Sequence, residues 1–179
     1  DLDRAAIDDV AIAATTQQGD QGLTIGRTAS ILAGLPESVP GFAIDRMCAG
    51  AMTAVTTTGS SIGIGAYDLV LAGGVEHMGR HPMGFDADPN PRFLSEKLVS
   101  PDALNMGCTA EKIHDRFPAL TKDRADAFSV LSQQKAAKAY KDNKIQPDLI
   151  SVSAGSEAGW ALVSQDELMR PESTIEGMQ

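Results

Sequence analysis

From Met47 to Tyr67 the chain carries no charged residue: MCAGAMTAVTTTGSSIGIGAY. A run of that kind folds either as a helix enclosed on every face or as a membrane span. Its repeated Thr, Ser and Gly make it too polar for a bilayer, so an enclosed helix is expected. Gly50, Gly59, Gly63 and Gly65 each cost a helix about 1 kcal/mol relative to Ala. A chain accepts that where neighbours must approach closely, so tertiary packing has to hold this segment. Just ahead of it, Phe42 to Ile44 reads as a short apolar strand, and the tight turn between strand and helix carries Cys48.

A cysteine at a strand-to-helix junction lies beside free N–H groups and the positive end of the helix dipole. Both stabilise negative charge there, first on sulfur and then on an oxyanion if the sulfur attacks a carbonyl. The same position also suits a small core hydrophobe, the usual fate of a free cysteine. Position alone leaves both readings open.

The surrounding pattern is α/β. Asp3 to Asp9 reads as a turn or helix end and Val10 to Ala13 as a strand. Gln17 to Gly26 is a Gln/Gly loop without the Gly-Lys-Ser/Thr of a phosphate cradle, so a flexible turn is expected, with a helix starting near Leu23. That helix stops at Gly34, with Pro36 just beyond. Asp68 to Gly74 reads as a buried parallel strand. Strands alternating with helices imply a mostly parallel sheet, whose ligands gather at the carboxyl ends of the strands. Cys48 and Glu76-His77-Met78 both fall at such ends.

Beyond Gly79 the pattern turns irregular, with HPMGFDADPNPRF. Helical spacing resumes over Asp102 to Phe117, and Thr121 caps a longer helix ending near Asn143. Ala125, Phe128, Ala136, Ala139 and Tyr140 form its packing stripe, with Lys135, Lys138 and Lys141 on the solvated face. Ile145 to Val152 suggests another strand after Pro147, and the tail from Ser153 to Gln179 is mixed.

A net charge of −9 and a pI near 4.7 oppose a nucleic-acid surface, which needs basic patches. The charged start DLDRAAIDDV has no signal-peptide core, and Cys48 and Cys108 make no disulfide framework. Reduced thiols in a cytoplasmic protein are the expectation, although a bridge between the two stays open. Glu76, His77 and His81 could be drawn as a metal cluster. Gly79 and Pro82 oppose a continuous helix there and no third nitrogen ligand is near, so no metal is expected. His77 is a candidate to line the cavity near Cys48. His114, among Lys112, Asp115 and Arg116, is expected at the surface, and no histidine stands out as a base for the thiol.

Five strings in order resemble the thiolase family, in its degradative 3-oxoacyl-CoA branch. They are Ala33-Gly34-Leu35-Pro36, Asp45-Arg46-Met47-Cys48-Ala49-Gly50-Ala51, Ala72-Gly73-Gly74-Val75-Glu76-His77-Met78, Met106-Gly107-Cys108-Thr109-Ala110-Glu111 and Asp166-Glu167-Leu168-Met169-Arg170-Pro171-Glu172-Ser173-Thr174. The resemblance implies a partial thiolase-type α/β fold: a mostly parallel sheet flanked by helices, with an inserted loop domain. It divides the chain into a core over 1–78 and a loop domain over 79–179 that carries CoA-binding and assembly elements.

The same resemblance implies an acyltransferase of fatty-acid β-oxidation that cleaves 3-oxoacyl-CoA with CoA, through an acyl group carried on Cys48. It places Arg170 against the CoA nucleotide and Met106 beside the pantetheine channel, with CoA as co-substrate and no covalently bound cofactor. Acyl-CoA, a homodimer or tetramer and other β-oxidation enzymes are the implied partners, with the excursion after Gly79 as the assembly element. Three departures stand out in and beside the strings. The nucleophile motif opens with Asp45 where the family usually has Asn, its Ala49-Gly50-Ala51 differs from the family's Ser or Gly patterns, and Asn105, just before Met106, stands where many biosynthetic members carry His.

The family's second half supplies a Gly-His-Pro histidine and a further Cys-x-Gly cysteine; no Gly-His-Pro occurs here, and no Cys-x-Gly besides that of Cys48 itself. The resemblance also implies that the family's first strand and helix have no counterpart in these residues. The chain therefore resembles the first half of a thiolase, and these residues alone are expected to turn over negligibly. The alternatives are a biosynthetic acetoacetyl-CoA thiolase, a carrier-protein-dependent ketoacyl synthase, or a non-catalytic thiolase-like lipid-binding or assembly subunit.

Overall fold

The computed structural model describes residues 2–84, 87–156 and 159–178. They divide into two compact units, 1–89 and 90–179.

The first unit is built on β1 (Asp9–Ala13), the middle strand of a three-stranded parallel sheet with β2 (Phe42–Ile44) and β3 (Val70–Gly74). The near-continuous apolar run Val10 to Ala13 suits a strand covered on both faces. Val10 packs with Ile7 and Val39, joined by Ile12 and Leu35. Strand alternation turns Ala13 to the opposite face, where the second helix begins. The connecting helices are α1 (Ile25–Leu32) and α2 (Gly50–Gly63).

Register is pinned at the amino ends of the strands. Asp8 Oδ2 accepts the Asp68 and Leu69 N–H groups at 2.7 and 3.0 Å, and the Tyr67 hydroxyl donates to Asp9 Oδ2 at 2.8 Å. The Leu69 and Asp68 amides hold the Asp8 carboxyl below its ordinary range, and Asp9 raises the Tyr67 hydroxyl. These bonds sit beside the pairing of Asp9 with Val70 that opens the β1–β3 ladder.

The strand order β2-β1-β3 puts a topological switch point between β1 and β3. A crevice for ligands opens at the carboxyl ends of such strands.

α2 departs from the expectation of a helix enclosed on every face. Gly50, Ala54 and Thr58 are its buried residues, a small-residue stripe on the sheet, whereas Met52 is 66% exposed and Val55 and Ile62 are exposed as well. The lack of charge has another cause. Thr53, Thr56, Thr58, Ser60 and Ser61 donate their hydroxyls to carbonyls one turn back in the same segment, so the helix satisfies its polar groups internally. The Gln17–Gly26 loop also differs from a plain flexible turn. It contains a 3-10 turn, Gly19–Gln21, and buries the Gln21 side chain.

The second unit is organised along one long helix. In order it holds α3 (Arg92–Ser95), α4 (Met106–Arg116), α5 (Lys122–Lys141) and an antiparallel hairpin of β4 (Val152–Ser156) with β5 (Gly159–Val163). Thr121 caps α5 by accepting the Arg124 N–H at 3.4 Å. The strand expected after Pro147, within Ile145 to Val152, begins only at Val152 as β4, and a 3-10 turn, Gln146–Asp148, precedes it. The packing stripe is corrected too. Val130 is the buried residue of α5 at 7%, and Phe128 is 75% exposed.

Three side chains along α5 tie the carboxyl-terminal segment. Lys122 Nζ donates to Met178 O at 2.9 Å, Gln133 Oε1 accepts the Arg170 N–H at 2.7 Å, and the Tyr140 hydroxyl accepts the Asp166 N–H at 3.0 Å. That segment therefore runs antiparallel to α5. No helix among the described residues is long and apolar enough to cross a membrane.

Candidate active site

Cys48 is the middle residue of a 3-10 turn, Met47–Ala49, between β2 and α2. Met47 stands at φ +46°, a left-handed conformation uncommon for a non-glycine side chain. Asp45 stabilises it: its Oδ1 accepts the Met47 N–H at 2.9 Å. An Asn Oδ1 could accept the same bond, so Asp45 in place of the Asn that the resemblance implies keeps this turn intact.

The reversal delivers Gly50 onto the end of β1. A Cβ at Gly50 would stand 2.8 Å from the Ala13 Cβ, and one at Gly74 would stand 3.1 Å from the Ala51 Cβ. Glycine at position 50 lets the first turn of α2 lie on the carboxyl end of β1, and a side chain at position 74 would press Ala51 back by a few tenths of an ångström. Cys48 is exposed there, with its thiol free. The neighbouring Ala49 and Gly50 N–H groups return to Arg46 O and Met47 O, while the Cys48 N–H finds no acceptor among the described residues. A thiol beside an uncommitted N–H at a helix start can attack a carbonyl and hold the oxyanion that forms.

A second group of side chains closes the switch point. Glu76, two residues past β3, accepts the Thr15 N–H at 2.7 Å through Oε2 and the Gln21 amide at 2.8 Å through Oε1. Gln21 in turn accepts the His77 N–H at 2.6 Å and donates to Thr16 O at 2.8 Å. Asp20 accepts from Arg80 at 2.7 Å and pairs with the buried His81 at 2.5 Å. The loop after β1 is thus stapled to the segment after β3.

These partners also define Glu76 and the histidines differently from a metal cluster. Glu76 faces amide donors, His81 faces Asp20, and the exposed His77 is held through its backbone. Among the described residues no group of three or more His, Cys, Asp or Glu could hold a metal ion. His114 is half-buried, with Nδ1 against Leu120 O.

Burial pushes the Glu76 carboxyl up, but the Gln21 amide and the Thr15 and Thr16 N–H groups outweigh it and hold the group below its ordinary 4.5. A carboxyl lowered by folding adds stability that is present above its unfolded value and lost as pH falls through its folded value. The staple therefore weakens with acid. The Tm advantage of the native chain over Glu76→Gln should be full at about pH 6 and close as pH drops below 4.5, read by thermal unfolding across pH. An advantage independent of pH would show that the carboxylate charge contributes nothing.

Met106 and Arg170 belong to the second unit. Met106 opens α4, 70% exposed, just after Asn105, whose Oδ1 accepts the Gly107 and Cys108 N–H groups at 2.9 and 3.3 Å. Arg170 is exposed, and its guanidinium has no acceptor among the described residues. Cys108 is half-buried and free, so the two thiols are unbridged. Sequence reasoning missed Gln21, Thr15 and Gln133, and assigned Tyr140 to packing alone. Their partners lie 26 to 61 residues away in the chain, beyond any local signal. Asp45 two residues before a turn amide is a local Asx pattern and was there to be read.

Comparison with known proteins gives this geometry its setting. The family described as "Thiolase, N-terminal domain" matches residues 1–179. The chain is 36% identical over 178 residues to the 3-ketoacyl-CoA thiolase of Saccharophagus degradans, covering 99% of this chain and 45% of that protein. It is 37% identical over 173 residues to the 3-ketoacyl-CoA thiolase of Colwellia psychrerythraea, covering 96% and 44%. The crystal structure of the Bacillus anthracis acetyl-CoA acetyltransferase superposes with a TM-score of 0.77 at 26% identity, over 98% of this chain and 46% of that one. The chain thus spans somewhat under half the length of the curated relatives it matches. With the family match running from end to end, and with a parallel sheet flanked by helices beneath it, the chain belongs to the thiolase family and carries that family's N-terminal domain.

Proposed function

We propose that the intact protein is an acyltransferase that cleaves 3-oxoacyl-CoA with CoA, in fatty-acid β-oxidation. Cys48 is its nucleophile. In this reading the Cys48 sulfur attacks the 3-oxo carbonyl and the bond between C2 and C3 breaks. The two-carbon piece leaves as the enolate of acetyl-CoA and takes up a proton, while the remaining acyl group stays on sulfur as a thioester. The thiol of a second CoA attacks that thioester, and the shortened acyl-CoA departs as the Cys48 thiolate is restored. Covalent catalysis of this kind divides one difficult step into two easier ones. The Cys48 N–H contributes one donor to the oxyanion, Arg170 lies against the CoA nucleotide, and Met106 lies beside the pantetheine chain.

The observation that carries the reading is the exposed Cys48 thiol on its left-handed turn at the carboxyl ends of parallel strands, in a chain of this family. We further propose a cytoplasmic homodimer or tetramer, with residues 79–179 supplying the CoA-binding and assembly elements. The test is acyl capture. The intact protein is mixed with a 3-oxoacyl-CoA in the absence of free CoA, and the peptide bearing Cys48 is analysed by mass spectrometry. An acyl adduct on Cys48 is expected. Its absence, with lipid or another protein bound instead, would favour a non-catalytic module.

A second reading, an acetyl-CoA acetyltransferase, draws on the likeness to the Bacillus anthracis structure. A chain-length profile separates the two, because a degradative enzyme favours long acyl chains and a biosynthetic one stops at four carbons.

The chain contains no Gly-His-Pro string. Without a paired base to activate the thiol and an acid to protonate the enolate, turnover should fall by about 10²-fold or more for each missing group. Residues 1–179 alone are therefore expected to show negligible thiolysis of acetoacetyl-CoA, and an ordinary enzymatic rate from them would refute this.

A further inference from the structure

We propose that Gln133 and Tyr140 are positioning residues that hold Arg170 ready for the CoA nucleotide. The inference rests on the reading of Arg170 given above. Its grounds are the bonds around the Arg170 backbone. The Arg170 N–H donates to Gln133 Oε1 at 2.7 Å, and its carbonyl accepts the Ser173 N–H at 3.1 Å and the Ser173 hydroxyl at 2.8 Å. Pro171 restricts Arg170 to extended backbone on the carboxyl side. The main chain is fixed from both directions while the guanidinium keeps its donors uncommitted among the described residues.

The second grip lies four residues earlier. The Tyr140 hydroxyl accepts the Asp166 N–H at 3.0 Å and donates to Asp166 Oδ2 at 2.7 Å. Gln133 and Tyr140 stand seven residues apart on α5, on one face of the helix. Seven helical residues rise about 10 Å, and four extended residues reach about 13 Å. The spacing of the two grips thus matches the reach of the Asp166–Arg170 segment, which bends at Glu167 between them. A cation on a fixed backbone loses less freedom when it meets a phosphate than one on a loose tail.

The test measures the Kd for CoA by titration calorimetry on the intact protein, alongside KM for CoA and kcat. Gln133→Met and Tyr140→Phe should each weaken CoA binding about fivefold, the size of effect one hydrogen bond carries. Turnover at saturating CoA should change by less than about twofold. Gln133→Glu, which keeps the acceptor oxygen, should recover most of the loss. Arg170→Ala separates the two layers of the argument. If it weakens CoA binding while Gln133→Met and Tyr140→Phe leave the Kd unchanged, Arg170 keeps its role and the positioning inference is overturned. If Arg170→Ala leaves the Kd unchanged, or the unsubstituted protein binds no CoA, the reading of Arg170 falls and the inference with it. A drop in kcat and Tm at constant Kd marks a purely structural role and also overturns it.

Discussion

Replacing Cys48 with alanine in the intact protein should lower the thiolysis of 3-oxoacyl-CoA by on the order of 10⁴-fold or more, the scale on which removing a covalent nucleophile acts. The acyl adduct should vanish with it. Cys48→Ser should fall close behind, because a serine hydroxyl ionises far less readily than a thiol and is a far weaker nucleophile than a thiolate. The fold should be spared. Cys48 is exposed and its thiol free, so the substitution behaves as a surface change, within about 0.5 kcal/mol. Steady-state kinetics and a melting curve on the same sample decide the matter. A Cys48→Ala protein that keeps its Tm and works within tenfold of the native rate would remove Cys48 from the chemistry. The Asp45–Met47 bond shapes this outcome, because the left-handed turn exposes the sulfur instead of burying it.

Gly26→Ala should have the largest effect on stability. A Cβ at Gly26 would lie 2.3 Å from both Phe42 O and Val10 O, and one at Gly41 would lie 2.5 Å from the Arg27 N. The first turn of α1 and the start of β2 pass each other backbone to backbone. No side chain there can swing aside, so α1 must lift from the sheet or the strands must part. The cost should reach the upper end of overpacking, about 3 kcal/mol, which in a unit of 89 residues lowers Tm by on the order of 10–20 °C. Thermal unfolding of Gly26→Ala against the native chain measures it, and a shift of under about 2 °C would mean that α1 lifts away without loss. The effect carries to the site. β2 feeds straight into Asp45 and the Cys48 turn, so a displaced β2 also displaces the sulfur.

Much of the first unit was legible. Phe42 to Ile44 reads as a strand because three apolar residues sit between a turn and a charged pair, and the structure has it over the same residues. The carboxyl end of β3 falls at its two glycines, as expected, and one of them is where Ala51 comes close. The exposure of α2 was not legible. Absence of charge reports which side chains a helix tolerates, and here the Thr and Ser hydroxyls bond back to their own helix, so nothing in the pattern says what stands opposite. The hairpin of β4 and β5 was lost for a different reason: Val152, Ala154, Ala161 and Val163 alternate with Ser, Gly, Trp and Leu over only five residues a strand, too short a stretch to rise above a mixed tail.

Local order along the chain determined which chemistry is available: an apolar strand, a turn with one cysteine, an uncharged helix, and a fixed succession of short strings that marks the family. Those signals survive in sequence because each is encoded within a few neighbouring residues. Tertiary structure alone decided what surrounds that cysteine. Glu76 meets Thr15 across 61 residues and Gln21 across 55, Gly50 meets Ala13 across the sheet, and Gln133 meets Arg170 along α5. A hydrogen bond or a backbone contact at such separations leaves no periodicity in either partner's neighbourhood, so only the folded chain reveals which groups it joins.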